Sequence, residues 1–182
     1  MERRDMLADS LLTTKTLMAR YLAGFDETNS TSQAPHLPNH PAWILGHCAL
    51  TMHRVANMFQ SDPPVSAGPL TSGDFLTGDG TKGDAEHFDS ESVSFGSKPL
   101  DDPRNYPTYA RSVQIFDAAC DRLASVIRTG PDAKLDQKVK WGPLGMELPL
   151  WSLAMRMVFH NGMHTGQLAD LRRALGFRSI FS

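Results

Sequence analysis

The chain has 182 residues, 41% of them hydrophobic, with 18 basic against 20 acidic side chains and a formal net charge of −2. That length suffices for one well-buried core, so a single domain over residues 1–182 is the expectation. The near-neutral balance offers no electrostatic footprint for nucleic acid or an anionic membrane, and the apolar runs are broken too soon to span a bilayer, so neither partner is expected.

Met1-Glu2-Arg3-Arg4-Asp5 leads into an amphipathic stretch rather than a signal-peptide core, which makes cytoplasmic residence the expectation. From about Asp5 to Phe25, Leu7, Leu11, Met18, Leu22 and Phe25 repeat on one helical face, and Gly24 weakens the end. A second helix opens at Pro41, a residue suited to a first helical position, and can run to about Gln60. His47 shares its face with Trp43, Ile44, Thr51, Val55 and Met58, an inward stripe by apolar content. His53 falls about 120° away and reads as a surface or rim residue. His40 precedes the proline, where capping or loop packing explains it. Cys48 points about 100° from His47 and reads as core packing rather than a ligand. With Cys120 on another helix and no CxxC spacing, both cysteines are expected to be free thiols.

Residues 61–105 are rich in Gly, Pro, Ser and Asp and form a long connection. Thr71–Leu76 resembles a cap followed by a short helical turn. Phe75, Leu76, Phe88, Phe95 and Leu100 could pin the segment over the molecule as a lid, and a solvated connector fits the composition equally. His87, with Glu86 and Asp89, lacks a coordinating periodicity. The third helix, about Tyr106 to Arg128, carries Tyr109, Val113, Phe116, Cys120, Leu123 and Ile127 at alternating spacings of four and three, and stops at Thr129-Gly130-Pro131. Between Asp132 and Pro149, alternating polar and apolar residues around Gly142-Pro143 predict a small hairpin or an extended lid, with Trp141 placed to close over a site. The fourth helix runs from about Pro149 to Leu175 and ends at Gly176.

His160 and His164 in this last helix are separated by roughly 40° around its axis, so both rings can reach one ion. They share a stripe with Leu153, Met157, Leu168, Leu171 and Leu175, the apolar face. A lone histidine on such a face is more often a hydrogen-bonded core residue than a ligand, so the metal reading needs a third imidazole. Among His36, His40, His47, His53 and His87, the best placed is His47. Three neutral imidazoles suit zinc, nickel or iron and leave at least one position open.

Trp43-Ile44-Leu45-Gly46-His47 in the second helix, His160-Asn161-Gly162-Met163-His164-Thr165-Gly166-Gln167-Leu168 and Leu171-Arg172-Arg173-Ala174-Leu175-Gly176 in the last, together resemble the DinB/YfiT-like superfamily over nearly the whole chain. The resemblance implies an all-α fold, a four-helix bundle with a long crossover between the second and third helices. It also implies a metal site made of His47, His160 and His164. The family includes thiol-dependent transferases and isomerases beside members without known activity, so it points to a metal more strongly than to a reaction.

A three-imidazole ion with an open position can activate water, which implies hydrolysis, or a substrate thiolate, which implies thiol transfer. Arg54, two turns from His47 and within about 20° of its direction, could bind a substrate carboxylate; a surface ion pair is the favoured reading. Gln167, one turn after His164, could orient a metal-bound water, or hold a histidine's other ring nitrogen and so fix its tautomer, the role we favour. No Ser-His-Asp set, zincin motif or phosphate-cradling loop is present. Two function classes follow. One is a metal-dependent transferase or hydrolase acting on a small thiol-linked molecule with one divalent ion. The other is a noncatalytic metal-binding or small-molecule-binding protein. The expected partner is a small-molecule substrate, foremost a low-molecular-weight thiol, and the fold class admits a homodimer.

Overall fold

Four stretches with helical apolar spacing form α-helices in the computed structural model, which describes residues 2–64, 73–76, 85–142 and 144–181. Helix α1 (Arg3–Leu22) buries Leu7, Ala8, Leu11, Met18 and Leu22. It ends before the expected Phe25 because Gly24 takes a left-handed φ of 89°, which turns Phe25 back into the core. Helix α2 (Pro41–Gln60) starts where the sequence reading puts it, and His40 caps it by accepting the Trp43 N–H at 3.2 Å. Its burial is nearly all-round, more than one apolar stripe requires, because the following segment covers its outer side.

Within that segment, strand β1 (Phe75–Leu76) pairs in parallel with β2 (Phe88–Asp89). Residues 75–76 are therefore extended rather than the helical turn expected there; Thr71 and Ser72 lie outside the described residues. Phe88 N–H donates to the Asp74 carbonyl at 2.8 Å, and the Phe75 and Phe88 rings stack at 5.7 Å. Successive strand residues face opposite ways, so Phe75 is buried while Leu76 is exposed. Phe95 and Leu100 are exposed too, so of the five expected anchors only Phe75 and Phe88 hold, joined by Val93.

Helix α3 (Tyr109–Thr129) begins three residues later than expected, since Tyr106 precedes a proline and is extended (φ −132°, ψ 157°). Thr108 then caps the helix by accepting from Arg111 N–H at 3.3 Å. Strands β3 (Lys138–Trp141) and β4 (Met146–Pro149) form the expected antiparallel hairpin. The hairpin leads directly into α4 (Leu150–Ala174), where Leu150 N–H donates to the Gln137 carbonyl at 3.0 Å. Trp141 pairs with Met146 at the turn end of the hairpin, and Met146 Sδ accepts from Arg156 Nη2 of α4 at 3.6 Å.

Helix α1 packs against α3 and α4, and α2 packs against the same two. Contacts set the directions: Met52–Cys120, Asn57–Arg122 and Ser61–Lys134 advance together, so α2 and α3 run the same way. Asn39–Gln167 and Met52–Asn161 advance oppositely, so α2 and α4 are antiparallel. Cys48 and Cys120 are free and buried in this core, and burial pushes both thiols up, so neither is a ready nucleophile. Among the described residues no helix is long and apolar enough to cross a membrane.

Candidate metal centre

The antiparallel pairing of α2 and α4 brings His47 opposite His160 and His164. The His47 ring lies 5.0 Å, centroid to centroid, from each of the other two, which are 4.6 Å from each other. One nitrogen from each imidazole lies within 4.8 Å of the others. The Nε2 atoms of His47 and His160 are 3.1 Å apart. Two imidazoles bound tetrahedrally at 2.0–2.1 Å would hold their nitrogens about 3.3 Å apart, close to the separation that His47 and His160 already have.

The remaining ring nitrogens fix which lone pairs face inward. His47 Nδ1 is 2.7 Å from the Val93 carbonyl, which can only accept, so Nδ1 carries the proton and Nε2 is left with its lone pair. His164 Nδ1 likewise donates to Gln167 Oε1 at 2.8 Å. Asn39 Nδ2 donates to the same oxygen at 3.0 Å, which sets the orientation of the Gln167 amide. Two acceptor Nε2 atoms thus converge with His160. His164 Nε2 and His160 Nδ1 are buried without a hydrogen-bond partner among the described residues. The buried His164 Nε2 lone pair, beside the facing Nε2 atoms of His47 and His160, is what a cation would satisfy, whereas His160 Nδ1 points away from that contact.

Burial, then the neighbouring imidazoles, pushes His160 down to about 3; burial, then His47, brings His164 to about 4. Burial also lowers His47, against the opposing pull of its Val93 bond, and the Arg54 charge lowers it further. All three rings are therefore neutral at ordinary pH, the protonation state a metal needs. His47 stacks on Trp43 at 4.5 Å and 10°, and Trp43 Nε1 donates to Ser97 Oγ at 2.9 Å. His164 and His47 are buried while His160 is half-buried, so the solvent-facing side of the cluster is at His160.

The sequence profile of the DinB superfamily matches residues 8–168, a span that contains all three histidines and Gln167. The chain belongs to the DinB superfamily. No curated protein and no solved structure matches it.

In this DinB-superfamily chain the other histidines stand apart from the cluster. His53, expected at the surface or rim, is buried against α3, where its Nδ1 accepts from Arg122 Nη1 at 2.9 Å. The helical angle away from His47 was sound, but α3 and the β1 strand cover that side as well. His40 caps α2 and also bonds the Leu100 carbonyl at 2.8 Å. Arg54 is half-buried on α2, and its charge reaches His47. Asn39 and the Val93 carbonyl were missed by sequence reasoning. Nothing local marks a carbonyl of a long connection as a partner for a residue 46 positions away.

A cleft of about 710 Å³ lies elsewhere, between Arg20, Arg172, Phe177 and Phe181 at the C-terminal ends of α1 and α4. Its buried arginine, Arg172, donates to the carbonyls of Tyr21, Ala23 and Arg178 and so caps chain ends. The histidine cluster, not this cleft, holds the groups capable of chemistry.

Proposed function

We propose that His47, His160 and His164 hold one divalent ion, zinc or nickel in preference to iron, and that the chain is a metal-dependent enzyme acting on a small thiol-linked molecule. The supporting observation is the convergence of three neutral imidazoles, two of them with the outer nitrogen already committed to a fixed acceptor. We read the four helices as a bundle in which residues 61–105 form the crossover that parallel α2 and α3 require. When bound, such an ion supplies Lewis acidity, enough to bring a coordinated thiol or water into its nucleophilic form near neutral pH.

The chain's own residues supply the rest. Trp43 shields one face of His47 from water. Gln167, held by Asn39, keeps the His164 ring oriented. The half-buried side at His160 is the route by which a small molecule reaches the cluster. Arg54 shares the His47 face of α2 and its charge reaches that ring, so in this reading it attracts an anionic group of the substrate, a carboxylate.

Cobalt substitution tests the proposal. Purified protein should take up one equivalent of cobalt(II), and a low-molecular-weight thiol should shift its visible spectrum. Turnover of an electrophilic substrate should then require both thiol and metal. Uptake without any response to a panel of cellular thiols would remove the thiol mechanism and leave hydrolysis. A saturated ion with no exchangeable position would replace the enzyme by a noncatalytic metal-binding protein.

A further inference from the structure

We propose that Gly46 is a positioning residue for the metal centre: by having no side chain it lets residues 88–100 seat against α2, and that seated segment holds the His47 ring in its ligating tautomer. The inference rests on the metal reading above for its consequence, though its geometry stands without a metal. A Cβ on Gly46 would lie 2.6 Å from Phe88 Cε1, 2.7 Å from Phe88 Cδ1 and 2.9 Å from Val93 Cγ1. These distances are shorter than carbon atoms tolerate. Neither neighbour is free to move aside. Phe88 and Val93 are fully buried, Phe88 is stacked on Phe75 and its backbone is paired to β1, and the Val93 carbonyl is the acceptor for His47 Nδ1 at 2.7 Å.

The segment tracks the start of α2 in the reverse direction through three bonds in register, that one and two more. Leu100 O meets His40 Nε2 at 2.8 Å, Ser97 Oγ accepts from Trp43 Nε1 at 2.9 Å, and Val93 O meets His47. The partners on α2 are residues 40, 43 and 47, one helical stripe, with Gly46 beside its end. The long connection is thus the element that supplies the outer hydrogen bond of His47. Displacing it by a methyl group at position 46 frees Nδ1 from the Val93 carbonyl and lets the ring exchange tautomers. A partner of this kind is worth about 10–100-fold in metal affinity. Because coupling is reciprocal, metal binding should stabilise the seated segment by a like factor.

The test uses the full chain and two readouts besides activity. In metal-free wild-type protein, imidazole nitrogen NMR should show His47 as one tautomer with a solvent-protected Nδ1–H. In Gly46→Ala that signal should be lost while the His53 signal persists, and zinc affinity should fall about 10–100-fold. Alanine favours a helix over glycine by about 1 kcal/mol, so loss of helix stability does not account for such a result. Adding Phe88→Leu to Gly46→Ala should recover part of the affinity. A Gly46→Ala protein that keeps the protected Nδ1–H and wild-type zinc affinity overturns the inference and leaves the three-histidine site standing. Absence of zinc binding in wild-type protein overturns the metal reading, and the tautomer signal then decides the clamp alone. If Gly46→Ala does not fold, hydrogen exchange on wild-type protein decides: zinc should slow exchange at the Trp43 indole and at residues 93–97, and unchanged rates reject the coupling.

Discussion

His47 and His53 lie on one helix, both are buried and both are pushed toward the neutral form, yet their surroundings give them opposite roles. His47 Nδ1 donates to the Val93 carbonyl, so its Nε2 lone pair is directed at two more imidazoles. His53 has its Nδ1 lone pair occupied by the Arg122 guanidinium, which also donates to Asn57 Oδ1 and Gln60 Oε1, both at 2.6 Å. A cation is the natural occupant of the first environment. In the second a cation is already present. Burial alone therefore does not distinguish a ligand from a structural histidine; the donor or acceptor facing each ring nitrogen does.

The sharpest way to break this comparison is substitution of the rings themselves. His47→Ala, His160→Ala and His164→Ala should each lower zinc affinity by more than the roughly 100-fold upper figure for an outer hydrogen-bond partner, whereas His53→Ala should leave it within a few-fold of wild type. Calorimetric titration measures both. Equal losses for His53→Ala and His47→Ala would erase the distinction drawn here.

Acid should act on both regions at once. The folded-state pKa of His53 and of His40 is lowered to about 4, chiefly by burial, against about 6.5 in an unfolded chain. The stability these neutral rings contribute is present above about pH 6.5 and is lost as pH falls toward 4, because the unfolded chain binds the protons. Each contributes about 3 kcal/mol at most. Denaturant midpoints of the metal-free protein should fall steadily over that window, and a flat profile would contradict the burial of these rings. In the folded protein, protons compete for His164 and His160 only near pH 4 and 3, so metal release should lag behind the pH near 6.5 that free imidazole would suggest.

Removing the cation from the second environment should cost stability without touching the first. Arg122→Met strips donors from His53, Asn57 and Gln60 and should destabilise the fold by about 2 kcal/mol, with zinc affinity unchanged. The smallest expected effect is at Gln167. Gln167→Leu should weaken zinc binding about 10-fold by freeing the His164 ring, with little change in the melting midpoint. A melting loss as large as that of Arg122→Met would assign Gln167 to the fold rather than to the metal centre.

Pro41 as a first helical position marked the start of α2, helical period placed His47, His160 and His164 on inward faces, and the alternation before Pro149 located the hairpin. These are local signals, carried by residues within a few turns of one another. The expected turn at residues 75–76 failed for the opposite reason. Phe75 is extended because Phe88, thirteen positions later, pairs and stacks with it. His53 was misplaced likewise, since a helical wheel records one direction inward and α2 is covered on several sides.

By itself, the sequence determined the helices, the family and the three imidazoles that share inward faces, because periodicity and residue type act over short stretches of chain. Only the tertiary structure decided which nitrogen of each ring faces its neighbours. That choice rests on the Val93 carbonyl, the Gln167 amide and the Arg122 guanidinium, partners brought to the rings by packing and marked by no local pattern, and a single hydrogen bond at one ring nitrogen dictates the chemistry of the other.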